Sequence, residues 1–444
     1  MSSPLPEFPA GFTWGVSTSA YQIEGATSED GRGPSIWDSF THRPGTVVDG
    51  STGDVACDHY HRYAEDVALL AGLGVGAYRF SIAWPRIQPD GTGPANPGGL
   101  GFYDRLVDGL LDRGIDPVAT LFHWDLPQAL EDKGGWLTRD TAGRFADYAA
   151  LVAGRLGDRV KLWITLNEPF VHMSYGYGLG LHAPGRQYLF DAFPVAHHQL
   201  LGHGLAVTAL RALTGSPIGI TNNYTPVRVQ GVTDADRAAG ATYHALHNRL
   251  FTDPILGHGY PEIPGTDPSI VHPGDLDTIA APIDALGVNY YNPTGVRAPS
   301  DPDSPLPFDL VPLDAYPTTS FGWPVDPDGL HELLTGLRRE YGDRLPPIHI
   351  TEGGCSYDDT LDAHGRCHDP QRVAYLDGHL RALHRAMTDG VDVRGYYVWS
   401  LLDNFEWAEG YTKRFGLVHV DFDTLTRTPK TSYAWFRDTV TGPA

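Results

Sequence analysis

Two glutamates carry the chemistry this sequence offers: Glu168 in TLNEPF and Glu352 in HITEGG, each just past a short apolar, β-branched run of the kind that forms a buried strand. Two carboxyl groups delivered from two strand ends are what hydrolysis of a glycosidic bond requires, one as proton donor and the other as nucleophile. Either glutamate alone reads as an ordinary loop acid or a charge at a helix N-terminus. The pair, with Asn167 beside the first, predicts a retaining glycosidase. Retention requires the two carboxyls to stand about 5 to 5.5 Å apart, against ~6.5 to 9.5 Å for inversion.

The elements that would position them alternate along the chain. Strand-like runs lie near residues 13–18, 77–84, 117–124, 161–167, 217–224, 283–290, 347–352 and 395–401. Several are almost continuously apolar, such as Val118-Ala119-Thr120-Leu121-Phe122, as expected of parallel strands buried on both faces. Between them run helical stripes: Tyr60, Ala64, Val67 and Ala71; Phe145, Ala149, Val152 and Leu156; Val373, Leu376, Leu380, Leu383 and Met387. The alternation predicts a parallel α/β sheet. No GxGxxG turn follows the first strand, so closure into one (β/α)8 TIM barrel spanning residues 1–444 is simpler than an open doubly wound sheet. Residues 225–282, and 292–328 with its dense Pro, Asp and Ser and little periodicity, read as elaborated βα loops over the catalytic face.

A barrel gathers its strand ends over one pocket. Here they offer Gln22 and Glu24 after the first strand, Arg79 within the second, His123 and Trp124 at the third, and Asn167 with Glu168 at the fourth. The sixth offers Asn289 and Tyr291, the seventh Glu352, and the eighth Trp399, with Glu406 and Trp407 in the loop beyond. These types suit a sugar: amides, imidazole and carboxylates for hydroxyls, indoles for the C–H face of a pyranose. A phosphate ligand would call for Arg, Lys or a glycine nest at the eighth strand, and the run 395–401 carries no Arg or Lys. Trp14, Trp84 and Trp163 read as core. His197, His198 and His203 are not spaced to put two ligands on one helix face, so no metal site is expected.

Composition narrows the partners. A formal charge of −22 with no Lys/Arg-rich stretch argues against nucleic acid or an anionic membrane and favours a neutral small molecule. The N-terminal MSSPLPEFPAGF has neither a basic nor an apolar leader region, and no run approaches a spanning helix, which predicts a soluble, cytoplasmic protein. Cys57, Cys355 and Cys367 read as free thiols, with a Cys355–Cys367 disulfide as the alternative.

The motifs FTWGVSTSAYQIEG, YRFSIAWPRI, LFHWDLPQAL, TLNEPF, LGVNYY, HITEGG and YYVWSLLDNFEWAEGY resemble, in order and over nearly the whole chain, the signatures of family-one glycoside hydrolases, the β-glucosidase family. The resemblance implies a single (β/α)8 domain, a double displacement and no metal or cofactor. It implies Glu168 as general acid/base and Glu352 as nucleophile, with Arg79 and Tyr291 keeping Glu352 ionised and aimed. Asn167 would bond the sugar 2-hydroxyl, and Gln22, His123, Trp399, Glu406 and Trp407 would line the glycosyl pocket. By position in the family pattern, Trp323, Phe170, His172 and Tyr177 fall on the aglycone side. The chain departs from the pattern at Gly353, where the family usually has Asn after the nucleophile. It keeps Glu406, the acid that relatives acting on 6-phospho-sugars replace with a serine and a basic group.

The activity these residues predict is hydrolysis of short β-glucosides from the non-reducing end. β-Galactosidase, β-fucosidase or transglycosylase activity on the same scaffold is the alternative. A non-catalytic glycan-binding barrel would be expected to have lost one of the glutamates, and this chain keeps both.

Overall fold

Buried strands alternating with one-sided helices are satisfied when the sheet closes on itself, and the computed structural model, which describes residues 4–442, does this. The parallel strands are β1 (Thr13–Ser17), β2 (Ala77–Ser81), β3 (Asp116–Phe122), β4 (Leu162–Asn167), β5 (Ile218–Tyr224), β6 (Ala285–Tyr290), β7 (Ile348–Gly353) and β8 (Val393–Trp399). They close in the order β1-β8-β7-β6-β5-β4-β3-β2. Each expected run supplies one barrel strand. The second stops at Ser81, short of Trp84: the Ala83 amide donates to the Tyr103 hydroxyl at 2.8 Å rather than to a neighbouring strand, and the chain turns into the short helix Trp84–Ile87 with Pro85 in its first turn.

The main apolar core lies between the barrel wall and the helices around it. In Asp140–Leu156 the expected stripe Phe145, Ala149, Val152 and Leu156 is buried throughout, and Leu376, Leu380 and Leu383 anchor Pro370–Thr388. In His59–Leu73 the buried face is Tyr60, Val67, Leu70 and Leu73, while Ala64 and Ala71 face solvent. Alanine favours a helix wherever it sits, so a stripe that leans on alanine marks the helix but not its buried face. Trp84 and Trp163 are core as expected; Trp14 is half-buried against Phe8, Phe12 and Phe436.

A second, small cluster of Ala77, Val118, Leu162, Ile164, Ala285 and Tyr397 fills the barrel lumen. Alternation along β2 and β3 then aims Arg79 and Thr120 inward one layer higher. On β4 and β7 the alternation is broken on purpose of geometry: the register slips between Ile164 and Asn167 against β5, and between Ile350 and Glu352 against β6. Leu162 and Ile164 face the lumen but Leu166 joins the outer core, so the slip turns Asn167 back inward. Ile348 and Ile350 face outward, and without the slip Glu352 would follow them.

The long connections are more ordered than expected. Val227–Val229 from the first, and Thr294–Arg297 with Asp309–Val311 from the second, form a three-stranded sheet. Strands this short are below the length at which periodicity shows. Helix Asp234–His244 starts at a capping box made by Thr233 and Asp236. Cys57, Cys355 and Cys367 are buried free thiols. No helix among the described residues is long and apolar enough to cross a membrane.

Candidate active site

β4 ends at Asn167, and Glu168 takes a left-handed backbone (φ 44°) before Pro169 opens a short helix. A proline at the first helical position has its φ already set, so the strand is cut off with Glu168 at its lip. Trp124 (φ 76°) and Trp407 (φ 50°) share the left-handed conformation in the same cleft. Such backbone costs about 1–3 kcal/mol per residue and gathers where side chains must be aimed.

The two carboxyls are held by different chemistry. Glu352 Oε1 accepts from Arg79 Nη1 at 2.6 Å, and its Oε2 accepts from the Tyr291 hydroxyl at 2.6 Å. The same guanidinium donates to Asn167 Oδ1 at 2.6 Å and to Thr120 Oγ1 at 3.1 Å, which fixes it in the lumen. Glu168 Oε1 accepts from two neutral amides, Asn289 Nδ2 at 2.8 Å and Asn223 Nδ2 at 2.9 Å. Thr351 Oγ1 donates to Asn289 Oδ1 at 2.8 Å, which leaves the Asn289 amide group facing Glu168. His247 Nε2 lies 2.8 Å from Asn223 Oδ1 and orients that amide in the same way.

Burial, and next the charge of Glu352, push the Glu168 carboxyl up to about 8, against the pull of the two amides. Burial also raises Glu352, while Arg79, Tyr291 and Asn289 draw it back. Arg79 and Tyr291 therefore do not bring Glu352 below the usual carboxylate range, because burial outweighs its donors. What the guanidinium sets is the order of ionisation: the carboxyl in contact with a cation gives up its proton first. Glu406 is pushed up to about 8 by burial and by the charges of Glu352 and Glu168. Gln22 Nε2 donates to Glu406 Oε2 at 3.2 Å and to Asn404 Oδ1 at 3.1 Å.

These groups face a cleft of 580 Å³ whose lining includes His123, Trp124, Glu168, Tyr291, Glu352, Trp399, Glu406 and Trp407. Gln22, Asn167 and Asn289 are buried in the wall directly behind. His123 lies near-parallel to the rings of Trp399 and Trp407, with centroids 5.9 and 5.8 Å away. Burial and the charge of Arg79 push it well below its usual value, so it is a neutral imidazole. Its Nε2 lies 3.0 Å from Asn167 Nδ2, and the Trp124 indole donates to the Asn167 carbonyl at 2.9 Å.

Of the four residues expected on the aglycone side, two face the cleft. Trp323 stacks on Phe321 at 4.2 Å and packs on Tyr291, and Phe170 lies over His247 at 4.1 Å. His172 and Tyr177 do not: both are buried, His172 edge-on to Phe122 and Tyr177 donating to Glu131 at 2.6 Å. Two residues along a helix is roughly 200° around it, so His172 points away from the side that Phe170 presents. Tyr175 lines the cleft from this segment instead. Glu24 also leaves the mouth, ion-paired with Arg86 at 2.9 Å and accepting from Tyr103. His197, His198 and His203 satisfy Asp275, the Trp136 carbonyl and Thr165 respectively.

The departure at position 353 has a steric counterpart. A Cβ on Gly353 would lie 2.6 Å from the Tyr396 hydroxyl, which has no hydrogen-bond partner among the described residues. At Gly354 a Cβ would lie 1.8 Å from the Trp399 carbonyl, so the loop after Glu352 can close on β8 only with glycine there. Sequence reasoning missed Asn223 and His247. Asn223 was the findable one, a polar residue at the C-terminal end of a barrel strand.

Against known proteins, the family model described as Glycosyl hydrolase family 1 matches residues 5–442. The thermostable beta-glucosidase B of Thermobispora bispora is 53% identical over 98% of this chain and 90% of its own length. A bifunctional beta-D-glucosidase/beta-D-fucosidase of Bifidobacterium breve is 45% identical over 97% of each chain. Among solved structures, the family 1 β-glucosidase from Thermotoga maritima superposes with a TM-score of 0.94 at 44% identity, covering 99% of both chains.

Proposed function

The chain belongs to glycosyl hydrolase family 1, and from that premise we propose how its residues divide the work of a retaining β-glucosidase. The chain is a glycoside hydrolase. It acts as one catalytic domain on small β-glucosides and short oligosaccharides, removing the terminal non-reducing glucosyl unit. Glu352 attacks the anomeric carbon while Glu168, protonated, gives its proton to the departing glycosidic oxygen. The observation that carries this division is the unequal surroundings of the two carboxyls, Arg79 on Glu352 against neutral amides on Glu168.

Once Glu352 is esterified to the sugar, its negative charge is gone. The charge that raised Glu168 disappears with it, and the freshly deprotonated Glu168 becomes a base matched to a water molecule. Attack of that water at the anomeric carbon breaks the ester, returns Glu352 to its ionised state beside Arg79, and reprotonates Glu168. Asn167, held by Arg79, reaches toward the sugar 2-hydroxyl, where a bond that strengthens in the transition state contributes several kcal/mol in this class of reaction. Gln22 and Glu406 hold outer hydroxyls of the sugar, with Trp399 and Trp407 against its apolar face. Activity on β-fucosides as well is supported by the name of the Bifidobacterium breve relative.

Hydrolysis of p-nitrophenyl β-D-glucoside followed by proton NMR tests the reading. We expect β-glucose to appear first and α-glucose to grow in by mutarotation. Initial α-glucose would contradict the double displacement.

A further inference from the structure

Beside the cleft lies a second cavity, of 410 Å³, that the mechanism leaves unused. Its size is within the range of about 300–1,000 Å³ typical of small-molecule pockets. One wall is the segment His172–Gly178, through Met173 and Tyr175; another is the helical segment carrying Tyr243 and Leu246; the third is the loop and strand with Leu306, Phe308 and Val311. The walls are apolar, and the charged groups at the edge, Arg297 and Asp309, pair with each other at 3.7 Å.

The cavity adjoins the catalytic cleft. Phe170, Tyr175, Tyr243 and Leu310 line both. Phe170 comes two residues after Glu168, and the Tyr243 hydroxyl lies 3.1 Å from His247, whose other nitrogen orients the amide on Glu168. The rim carries large apolar side chains in solvent: Tyr175, Leu189 and Leu310 at the cavity, Val48 and Leu181 at the cleft. Apolar side chains gathered around one opening mark a surface that a ligand covers.

We propose that this cavity is an annex for the aglycone, taking the uncharged hydrocarbon chain or fused-ring tail of a glucoside whose sugar occupies the cleft. This rests on the reading of the cleft as the glucosyl site. An uncharged tail fits because the two charged residues lining the cavity, Arg297 and Asp309, are of opposite sign and face each other at its edge, and an ionised tail would lose its hydration against the apolar walls. The enzyme's preferred substrates on this account are amphiphilic glucosides rather than glucose disaccharides alone.

The test compares KM for n-alkyl β-D-glucosides from butyl to octyl, with p-nitrophenyl β-D-glucoside as reference, in the wild-type chain and in Leu306→Trp and Val311→Trp. Both residues line the annex and not the cleft, and both are half-buried, so the bulk enters the cavity rather than the main core. We expect KM to fall about threefold to fourfold per methylene once the chain reaches the annex, and the slope to flatten in either variant. A flat series in wild-type protein that cleaves the aryl glucoside overturns the annex alone. Absence of cleavage on every glucoside overturns the reading of the cleft beneath it. A slope that persists unchanged in both variants assigns the gain to the outer rim and overturns the annex. Should neither variant fold, a crystal structure of the wild-type chain with octyl 1-thio-β-D-glucoside decides: the tail beside Leu306 and Phe308 supports the proposal, and a tail pointing to solvent overturns it.

Discussion

Glu168 and Glu352 are equally buried, so what separates them is what touches them: a guanidinium and a phenol on one, two amides on the other. With Glu352 ionised and Glu168 protonated in the free enzyme, kcat/KM for an alkyl glucoside falls as pH rises through about 8. Asn223→Ala removes a donor that favours the ionised form of Glu168, so the alkaline limb moves to higher pH, read from the pH–rate profile. A limb that stays or moves down contradicts the role given to that amide. The glutamates, Arg79, Tyr291 and Asn289 were legible because each stands in or beside a motif at a strand end. His247 was not: its link to Glu168 runs through space, by way of Asn223. His172 and Tyr177 were misplaced because a position in a motif does not state which helix face it occupies.

At the scale of elements, all eight strands could be read from their apolar runs, but the slips on β4 and β7 could not. A bulge has no compositional mark, and yet without it the alternation would turn Glu352 into the outer core. The loop leaving β7 is matched to β8 by size: the Tyr396 hydroxyl stands where an Asn at 353 would begin. Gly353→Asn is therefore expected to lower the Tm, and Tyr396→Phe to recover part of the loss in the double variant. The double-mutant cycle should give a favourable coupling of about 0.5–3 kcal/mol. Additive losses would mean that the two positions do not compete for the same space. The three-stranded sheet over the barrel was illegible for another reason, being made of short strands drawn from two distant connections.

At the scale of the whole molecule, stability should peak near pH 6.5. Burial pushes His172, His182, His203 and His247 down to about 3, and His349 and His379 down to about 4. They are neutral in the fold and protonate in the unfolded chain near pH ~6.5, so the stability they carry is present above that pH and is lost as pH falls toward 4. Glu168, Glu406 and Asp125, raised to about 8, act in the opposite sense. The fold keeps them protonated while the unfolded chain ionises them above pH ~4, so stability is lost as pH rises toward 8. Each group titrating in one state alone changes stability by about 1.4 kcal/mol per pH unit. Six histidines outweigh three carboxyls on the acid side of pH ~6.5, and above it the carboxyls act unopposed, aided by the self-repulsion of a net charge of −22. Thermal melts of the ligand-free chain from pH 4 to 9 check this; a Tm still climbing at pH 8 would contradict it.

The central claim is that Glu352 bonds covalently to the sugar while Glu168 moves the proton. Its most direct test is to inactivate the enzyme with 2,4-dinitrophenyl 2-deoxy-2-fluoro-β-D-glucoside, whose fluorine slows breakdown of the glycosyl ester, and to map the adduct by peptide mass spectrometry. The account predicts one fluoroglucosyl group on the peptide containing Glu352, discharged on adding an alcohol acceptor. A label on Glu168, on Glu406 or on any other residue would contradict it.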